Sequence, residues 1–215
     1  MKLFRNLIIA STLAVASASA LADNVTNYTI DPTHTQVYFS WNHVGFSNPG
    51  AAFRDVTGQI KGNHDHPEKS SVEVTIPVKS VDSFVPLLNE HLLNSGDYFK
   101  TADFPTITFR STGIRDVQQK KRHFTLLGDL TINGITRAVK LQAKANTVGP
   151  HPFYDNAAAA GFQATTTIRR SDFGMGKYAP IVGDDLTVTI TVEAIESQAY
   201  QKSLDKQAAA AKSAQ

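Results

Sequence analysis

Apolar and polar residues alternate with a period of two along most of the chain, a pattern typical of strands with one buried face and one solvent-facing side. Near the end of the chain, for example, Leu186, Val188 and Ile190 are separated by threonines. The pattern predicts eight strands, at about 37–42, 56–61, 72–79, 106–110, 124–132, 139–145, 162–168 and 186–194.

Eight antiparallel strands on mostly short connections predict an all-β fold, a closed up-and-down barrel. Closure removes the exposed strand edges that invite aggregation. The inward positions are almost wholly apolar, so the interior is either packed with side chains or holds one small apolar ligand. A sandwich of two stacked sheets is the alternative fold.

Two local signals refine the strand prediction. Pro77 lacks a backbone N–H, so its strand is expected at an edge or at a bulge. The dipeptide Asn133-Gly134 predicts a type I′ hairpin, because both central residues of that turn need a positive φ.

One segment follows a helical period instead. In the segment 82–94, Phe84, Leu88 and Leu92 recur at the spacing of an amphipathic helix, with Asp82 or Ser83 as its expected N-cap. The stretch 197–215 is rich in Ala, Gln and Lys, which predicts a mobile or helical tail.

The first 22 residues have the composition of a secretory signal peptide. Lys2 and Arg5 precede a short apolar core, and Ala20-Leu21-Ala22 gives the small-residue cleavage pattern. The mature protein is therefore expected to begin at Asp23, with a barrel domain over 23–196, and to lie in the periplasm. An uncleaved anchor is the alternative, but the apolar core is too short to span a bilayer.

Charge and cysteine content exclude several classes of protein. Loss of Lys2 and Arg5 balances the 21 basic and 19 acidic residues of the whole chain, so the mature protein has no basic surplus for binding nucleic acid. The chain has no Cys, which excludes disulfides, thiolate metal sites and cysteine nucleophiles.

Five short stretches between about residues 28 and 196 carry a more specific signal. They are Tyr28-Thr-Ile-Asp-Pro-Thr-His34 with His43-Val-Gly-Phe-Ser47, His91-Leu92 with Phe104-Pro-Thr-Ile-Thr-Phe109, Gly128-Asp-Leu-Thr-Ile-Asn-Gly-Ile-Thr136, Arg170-Ser-Asp-Phe-Gly174, and Gly183-Asp-Asp185. Their order resembles that of the YceI-like family, the polyisoprenoid-binding, lipocalin-like proteins of the bacterial periplasm.

The resemblance implies a lipocalin-like barrel crossed by a helix and a long isoprenoid ligand, such as a quinone or a polyprenyl phosphate, or another long-chain amphiphile. It implies transport, storage or scavenging, with no catalytic residue, metal or further cofactor, and with transient contact with a membrane or membrane proteins. Both a monomer and a dimer are compatible with it. The candidate ligand-binding residues are Phe39, Trp41, His43, Phe46, Phe84, Leu88, His91, Leu92, Phe99, Phe104, Phe109, Leu130, Phe162 and Arg170.

Polar residues among these candidates carry the possible head-group contacts. His43 continues the inward face of its strand, and Arg170 suits a phosphate, although an ion pair of Arg170 with Asp172 or Asp184 is the favoured interpretation. Two other functions stay open. An exported enzyme acting on a lipid-like substrate would depend on His43 or Asp184. A metal-binding envelope protein would use His64-Asp65-His66, which otherwise forms a polar loop.

Overall fold

The predicted alternation appears as eleven strands in a computed structural model, which describes residues 23–213. The expected leader, 1–22, lies outside the described residues. The strands are β1 (Val25–Ile30), β2 (Gln36–Ser40), β3 (Gly50–Phe53), β4 (Thr57–Asn63), β5 (Ser71–Pro77), β6 (Val81–Asp82), β7 (Thr106–Gln118), β8 (His123–Ile132), β9 (Ile135–Pro150), β10 (Ala158–Arg169) and β11 (Asp185–Glu196). The helices are α1 (Pro86–Asn94) and α2 (Ser197–Ser213).

Eight of these strands close into a ring in the order β1, β4, β5, β7, β8, β9, β10, β11, and back to β1. Every neighbouring pair is antiparallel, and the ring closes where Tyr28 lies opposite Glu196 and Ile30 opposite Ala194. The eight-stranded antiparallel barrel is thus confirmed. Closure between the first and last strands excludes the sandwich, whose two sheets would each keep free edges.

The extra three strands arise because the first three segments of the wall are each interrupted. A 3-10 turn at Pro32–His34 separates β1 from β2, and another at Val78–Ser80 separates β5 from β6. Beyond these breaks β2, β3 and β6 continue outward from β11 as a short branch. Up-and-down order is kept, because each broken segment still pairs with its sequence neighbours.

Pro77 marks one of these breaks. The expectation of an edge strand is wrong, because β5 pairs with β4 on one side and with β7 on the other. Pro77 is the last residue of β5, opposite Thr106, and the chain then enters the 3-10 turn. The missing N–H is tolerated at the strand end, where the hydrogen-bond ladder stops.

Helix α1 begins later than the periodicity predicts. Asp82 pairs with Ala52 as part of β6, and the buried Ser83 donates its N–H to Asn89 Oδ1 of the helix at 2.7 Å. The N-cap is Val85, so the expected cap at Asp82 or Ser83 is wrong. Pro86 starts the helix instead, because its fixed φ suits the first turn and its missing N–H is not needed there.

The Asn133-Gly134 hairpin is confirmed. Both residues have positive φ, 52° and 74°, and Ile132 lies opposite Ile135 across the turn. The Asn133 side chain is buried, and its Nδ2 donates to the carbonyl oxygens of Tyr98 and Phe173. The turn therefore ties the segment after α1 to the segment after β10.

The tail from Ser197 to Ser213 is helical in the structure, and no side chain of α2 is fully buried. Tyr200 stacks on Tyr154, with ring centroids 6.4 Å apart, and Lys202 and Lys206 lie within 3.4 Å of an Asp155 carboxylate oxygen. Across the described residues, neither helix has the combination of length and apolar character needed to cross a bilayer.

Candidate ligand-binding chamber

The barrel encloses a chamber of about 730 Å³. Its wall consists of the inward-facing residues of all eight ring strands and of β2 and β3, because alternate side chains of a strand point to opposite faces. Pockets for small ligands span roughly 300–1,000 Å³, so the chamber has the size of a ligand site. The apolar residues that line it include Val74, Phe109, Ile114, Leu126, Leu130, Val139, Leu141, Phe162 and Ile190.

One end of the barrel is filled by side chains. Phe39, Phe53 and Phe99 pack there with ring centroids 5.6 to 6.4 Å apart, together with Leu92 of α1 and Met175. We call these five residues the closed-end cluster. The aromatic rings meet at tilted and edge-on angles, which is a favourable geometry for such contacts.

The rest of the barrel stays hollow because small residues line one side of it. Ala143 and Ala145 on β9 and Ala160 and Ala164 on β10 line this side, and Ala143 lies directly opposite Ala164. The inward-facing Val72 is only partly buried, whereas a filled core would bury it fully.

Five of the predicted ligand-binding residues line the chamber: Phe39, Phe99, Phe109, Leu130 and Phe162. Phe39 and Phe99 belong to the closed-end cluster, so they form its floor. Phe109, Leu130 and Phe162 lie in the wall, and Phe162 meets the ring of Phe124 edge-on at 6.4 Å. Contacts of these residues with a ligand stay predictions.

The three candidates after β2 lie outside the chamber. The prediction that His43 continues the inward face is wrong, because β2 ends at Ser40 and the next residues form an exposed turn in which Phe46 N–H donates to His43 O at 3.0 Å. Trp41 stacks on Phe39 with centroids 5.9 Å apart but does not line the chamber. Phe46 is 90% exposed.

The candidates on and around α1 do not reach the chamber either. Leu92 is buried in the closed-end cluster and Leu88 packs against that cluster, whereas His91 and Phe84 are exposed. The helix therefore lies beneath the floor rather than in the wall. Phe104 covers the Asn133-Gly134 hairpin from outside, where its ring approaches Gly134.

Arg170 is buried, but all its described hydrogen bonds are to the backbone. Its guanidinium donates to the carbonyl oxygens of Gly183 and Val182, each at 2.9 Å, and to those of Met175 and Lys177. The favoured ion pair of Arg170 with Asp172 or Asp184 is therefore wrong, and Asp184 instead accepts from Arg169 and from Ser171. Arg170 does pin a loop, the one over 174–183, and it does not line the chamber.

The open end of the chamber has polar side chains that the sequence reasoning missed. We call it the mouth, and define it by two connections. The β4–β5 connection contributes His64 and Ser70, and the β7–β8 connection contributes Gln118, Arg122 and His123. Lys120 and Lys121 in the same β7–β8 turn add positive charge, and this run of basic residues in the sequence was the available signal.

One mouth residue, His64, contacts two residues of β1. His64 Nε2 lies 2.9 Å from Thr26 Oγ1 and 3.5 Å from the hydroxyl of Tyr28. Burial raises the pKa of Tyr28 above its usual value of 10, so its hydroxyl is neutral at ordinary pH and can donate a hydrogen bond. The mouth thus offers both cationic and neutral donors.

The residues expected for the metal-binding and the enzymatic alternatives each make local contacts of their own. Asp65 accepts the N–H of Asn24 at 2.9 Å, and His66 faces Glu68 at 3.3 Å. Within residues 23–213, the donor atoms of His64, Asp65 and His66 do not form a group with metal-binding spacing. Asp184 lies in the loop contacts described for Arg169 and Ser171, away from the chamber wall.

The fold and the chamber define a class: a single up-and-down β-barrel with one hollow apolar interior, closed at one end and polar at the other. Within this class the chain belongs to the YceI-like domain family, whose model matches residues 28–194. Protein YceI of Escherichia coli O157:H7 is 31% identical over 194 residues, which covers 89% of this chain and 96% of that protein.

Solved structures share the fold at lower identity. BcnA of Burkholderia cenocepacia has a TM-score of 0.66 at 23% identity, covering 76% of this chain and 98% of that one. A polyisoprenoid binding domain from Saccharophagus degradans, implicated in plant cell wall breakdown, has a TM-score of 0.55 at 12% identity, covering 79% of this chain and 98% of that domain. Both support the barrel architecture.

Proposed function

We propose that this protein binds one long amphiphilic isoprenoid, a quinone or a polyprenyl phosphate, without catalysing a reaction on it. The observation that carries the proposal is the hollow apolar chamber that opens through a polar mouth. Membership in the YceI-like family, and the polyisoprenoid-binding description of a protein with the same fold, support this ligand class.

Burial of the isoprenoid chain supplies the affinity in this proposal. Each CH₂ group transferred from water into the chamber contributes about 0.8 kcal/mol. The wall around Phe109, Leu130 and Phe162 is apolar. A hydrocarbon chain can therefore pack against it without burying polar groups that lack hydrogen-bond partners. The hollow shape is preformed, which limits the entropy cost of binding.

The mouth fixes which end of the ligand faces water. Arg122 and His123 line it, and Lys120 and Lys121 lie in the same turn. Guanidinium and ammonium groups favour a phosphate, since charge-assisted hydrogen bonds are stronger than neutral ones. His64 and Tyr28 can donate to a quinone carbonyl, so the mouth accommodates both head groups, with the basic turn favouring the anionic one.

Function in the periplasm, as a carrier, store or scavenger of the lipid, follows from the signal-peptide pattern at 1–22. A barrel that shields an apolar chain from water suits an aqueous compartment between two membranes. Transient contact with a membrane, where lipid is collected or released, stays a prediction.

Native mass spectrometry of mature protein, purified from its own host without detergent and followed by organic extraction, tests the proposal. A stoichiometric long-chain lipid is the expected result, and extraction identifies its head group. A clean apo mass, together with no uptake of added isoprenoid quinone or polyprenyl phosphate, would contradict it.

Two matched variants locate the bound chain. Phe109→Ala removes a ring from the chamber wall, so the lipid Kd should rise about tenfold, the loss of roughly 1.4 kcal/mol of apolar contact. Trp41→Ala removes a ring that stacks on Phe39 outside the wall, so the lipid Kd should stay within about twofold. Equal effects of both variants would place the ligand elsewhere.

A further inference from the structure

A group of side chains with metal-ligand chemistry lies where β1 pairs with β11 to close the barrel, outside the chamber wall. The 3-10 turn between β1 and β2 carries Asp31 and His34, and Glu193 lies opposite on β11. The backbone joins the two sides, because Asp31 N–H donates to Glu193 O at 2.9 Å and Glu193 N–H donates to Thr35 Oγ1 at 3.2 Å. The side chains are thus held by hydrogen-bonded strands rather than by a free loop.

We propose that Asp31, His34 and Glu193 bind a divalent transition-metal ion of the zinc type. His34 Nδ1 lies 2.9 Å from Asp31 Oδ2 and 3.7 Å from Glu193 Oε1. The three donor atoms all lie within 4.8 Å of one another, a spacing that a single ion can bridge. One imidazole nitrogen and two carboxylate oxygens are ligands that Zn²⁺ accepts, with its remaining position open to water.

The charge balance of the group favours a cation. Asp31 is 1% exposed, and Glu193 Oε1 is buried without a hydrogen-bond partner. Among residues 23–213, no Lys or Arg forms an ion pair with either carboxylate. The Glu193 side chain as a whole is 30% exposed, and His34 lies between the two carboxylates. Carboxylates held this close repel each other, and a cation bound beside His34 lowers that repulsion.

His151 also lies beside Glu193. Its Nε2 is 3.2 Å from Glu193 Oε1, and its Nδ1 accepts the backbone N–H of Phe153 at 3.2 Å. Among residues 23–213, only Asp31, His34 and Glu193 have donor atoms that share metal-binding spacing, so the proposed site has three protein ligands.

The surroundings orient the ligands. Asp31 Oδ1 accepts from Thr33 N–H at 2.9 Å and from Thr33 Oγ1 at 2.7 Å, which leaves Oδ2 facing His34. Tyr154 donates its hydroxyl to the same Oδ2 at 3.3 Å, and burial with the nearby Asp31 raises its pKa to about 12, so it remains a donor. Partners of this kind fix the orientation of metal-binding carboxylates.

Titration of chelator-stripped mature protein with ZnCl₂, followed by isothermal calorimetry, tests the proposal. One equivalent should bind, and His34→Gln and Glu193→Gln should each weaken the affinity tenfold or more. The double variant His64→Gln/His66→Gln is the matched control and should bind as the parent does. The lipid plays no part in this measurement, so its outcome is separate from that of the chamber proposal.

A spectroscopic variant keeps the test independent of changes in stability. The chain has no Cys, so His34→Cys introduces a unique thiolate. Co²⁺ added to this variant should show a thiolate-to-cobalt charge-transfer band that the parent lacks. No saturable Zn²⁺ binding by the parent, unchanged affinity in His34→Gln and Glu193→Gln, loss of binding in the His64/His66 variant, or absence of the cobalt band would each overturn the proposal.

Discussion

The ring of Phe109 lies directly over the backbone of Gly128 on the neighbouring strand. A methyl group added at Gly128 would come within 2.3 Å of Phe109 Cζ and within 2.7 Å of Arg110 O. Glycine is therefore required here for close approach rather than for a special φ. The absence of a side chain at Gly128 therefore lets the Phe109 ring, which lines the chamber, pack against the neighbouring strand.

Gly128→Ala should force this ring away from the wall and into the chamber. We expect a loss of about 1–3 kcal/mol in the free energy of unfolding, measured by urea denaturation, because overpacking strains a well-fitted site. Gly113→Ala is the matched control, since nothing lies within 4 Å of a Cβ at that position of β7. Equal stability of the two variants would contradict the close packing of Phe109 on Gly128.

Alternation predicted the barrel because it is a direct consequence of strand geometry. The antiparallel barrel and seven of its eight ring strands follow from the sequence pattern. The ring strand β1 was not predicted, and the strand predicted at 37–42 became β2, which lies in the branch outside the ring. The breaks at Pro32–His34 and Val78–Ser80 were not predictable in this way. They depend on how neighbouring strands bend together, which one segment does not reveal.

The predicted site residues were correct within strands and wrong or missed beyond the strand ends. Phe109, Leu130 and Phe162 lie inside strands, where the face of a residue follows from its position, and all three line the chamber. His43 was predicted by extending the period beyond Ser40, where the strand ends. Arg122 at the mouth was missed because the placement of a turn depends on closure of the whole ring.

Filling the hollow part of the chamber should block the ligand without unfolding the barrel. Ala164 lines the chamber and pairs with Ala143 and Ile190, where the structure has free space. In Ala164→Phe we expect lipid uptake, measured by native mass spectrometry with added isoprenoid, to fall at least tenfold. The Tm should change little, because the new ring occupies a void.

The control for this change lies one residue along the same strand. Thr165 is exposed, so Thr165→Phe adds the same ring to the outside of β10. We expect its lipid uptake to match that of the parent. If Ala164→Phe takes up as much lipid as Thr165→Phe does, the ligand does not occupy this part of the chamber.

Arg170 should contribute to stability and not to ligand binding. Its guanidinium donates to four carbonyl oxygens, and a lysine ammonium with three donors and a different shape does not reproduce that arrangement. We expect Arg170→Lys to lower the free energy of unfolding by about 3 kcal/mol, because buried carbonyls lose their partners.

The neighbouring arginine provides the comparison for Arg170. The Arg169 side chain is 63% exposed and pairs with Asp184, so Arg169→Lys should lower the free energy of unfolding far less than Arg170→Lys does. Lipid Kd should be unchanged in both variants, since neither side chain lines the chamber. A large rise in Kd for Arg170→Lys, with stability intact, would instead make Arg170 a ligand contact.

Asp184 should make the stability of the barrel depend on acid pH. Burial acts to raise its pKa, but hydrogen bonds from Ser171 and the adjacent Arg169 outweigh burial and lower the pKa below the usual 3.8. A carboxyl whose pKa is lower in the folded state stabilises the fold fully above its unfolded value. That contribution is lost as the pH falls through the folded value.

Urea denaturation of the parent and of Asp184→Asn at pH 7 and at pH 2 measures this contribution. We expect the parent to be more stable than Asp184→Asn at pH 7, where the ionised carboxylate accepts from Ser171 N–H and Oγ and from Arg169. This stability difference should be smaller at pH 2, because protonation of the folded carboxyl removes the charge on which it depends. Asp185→Asn, at an exposed neighbouring position, controls for removal of one negative charge. A stability difference that is the same at both pH values would show that the hydrogen bonds of Asp184 do not depend on its charge.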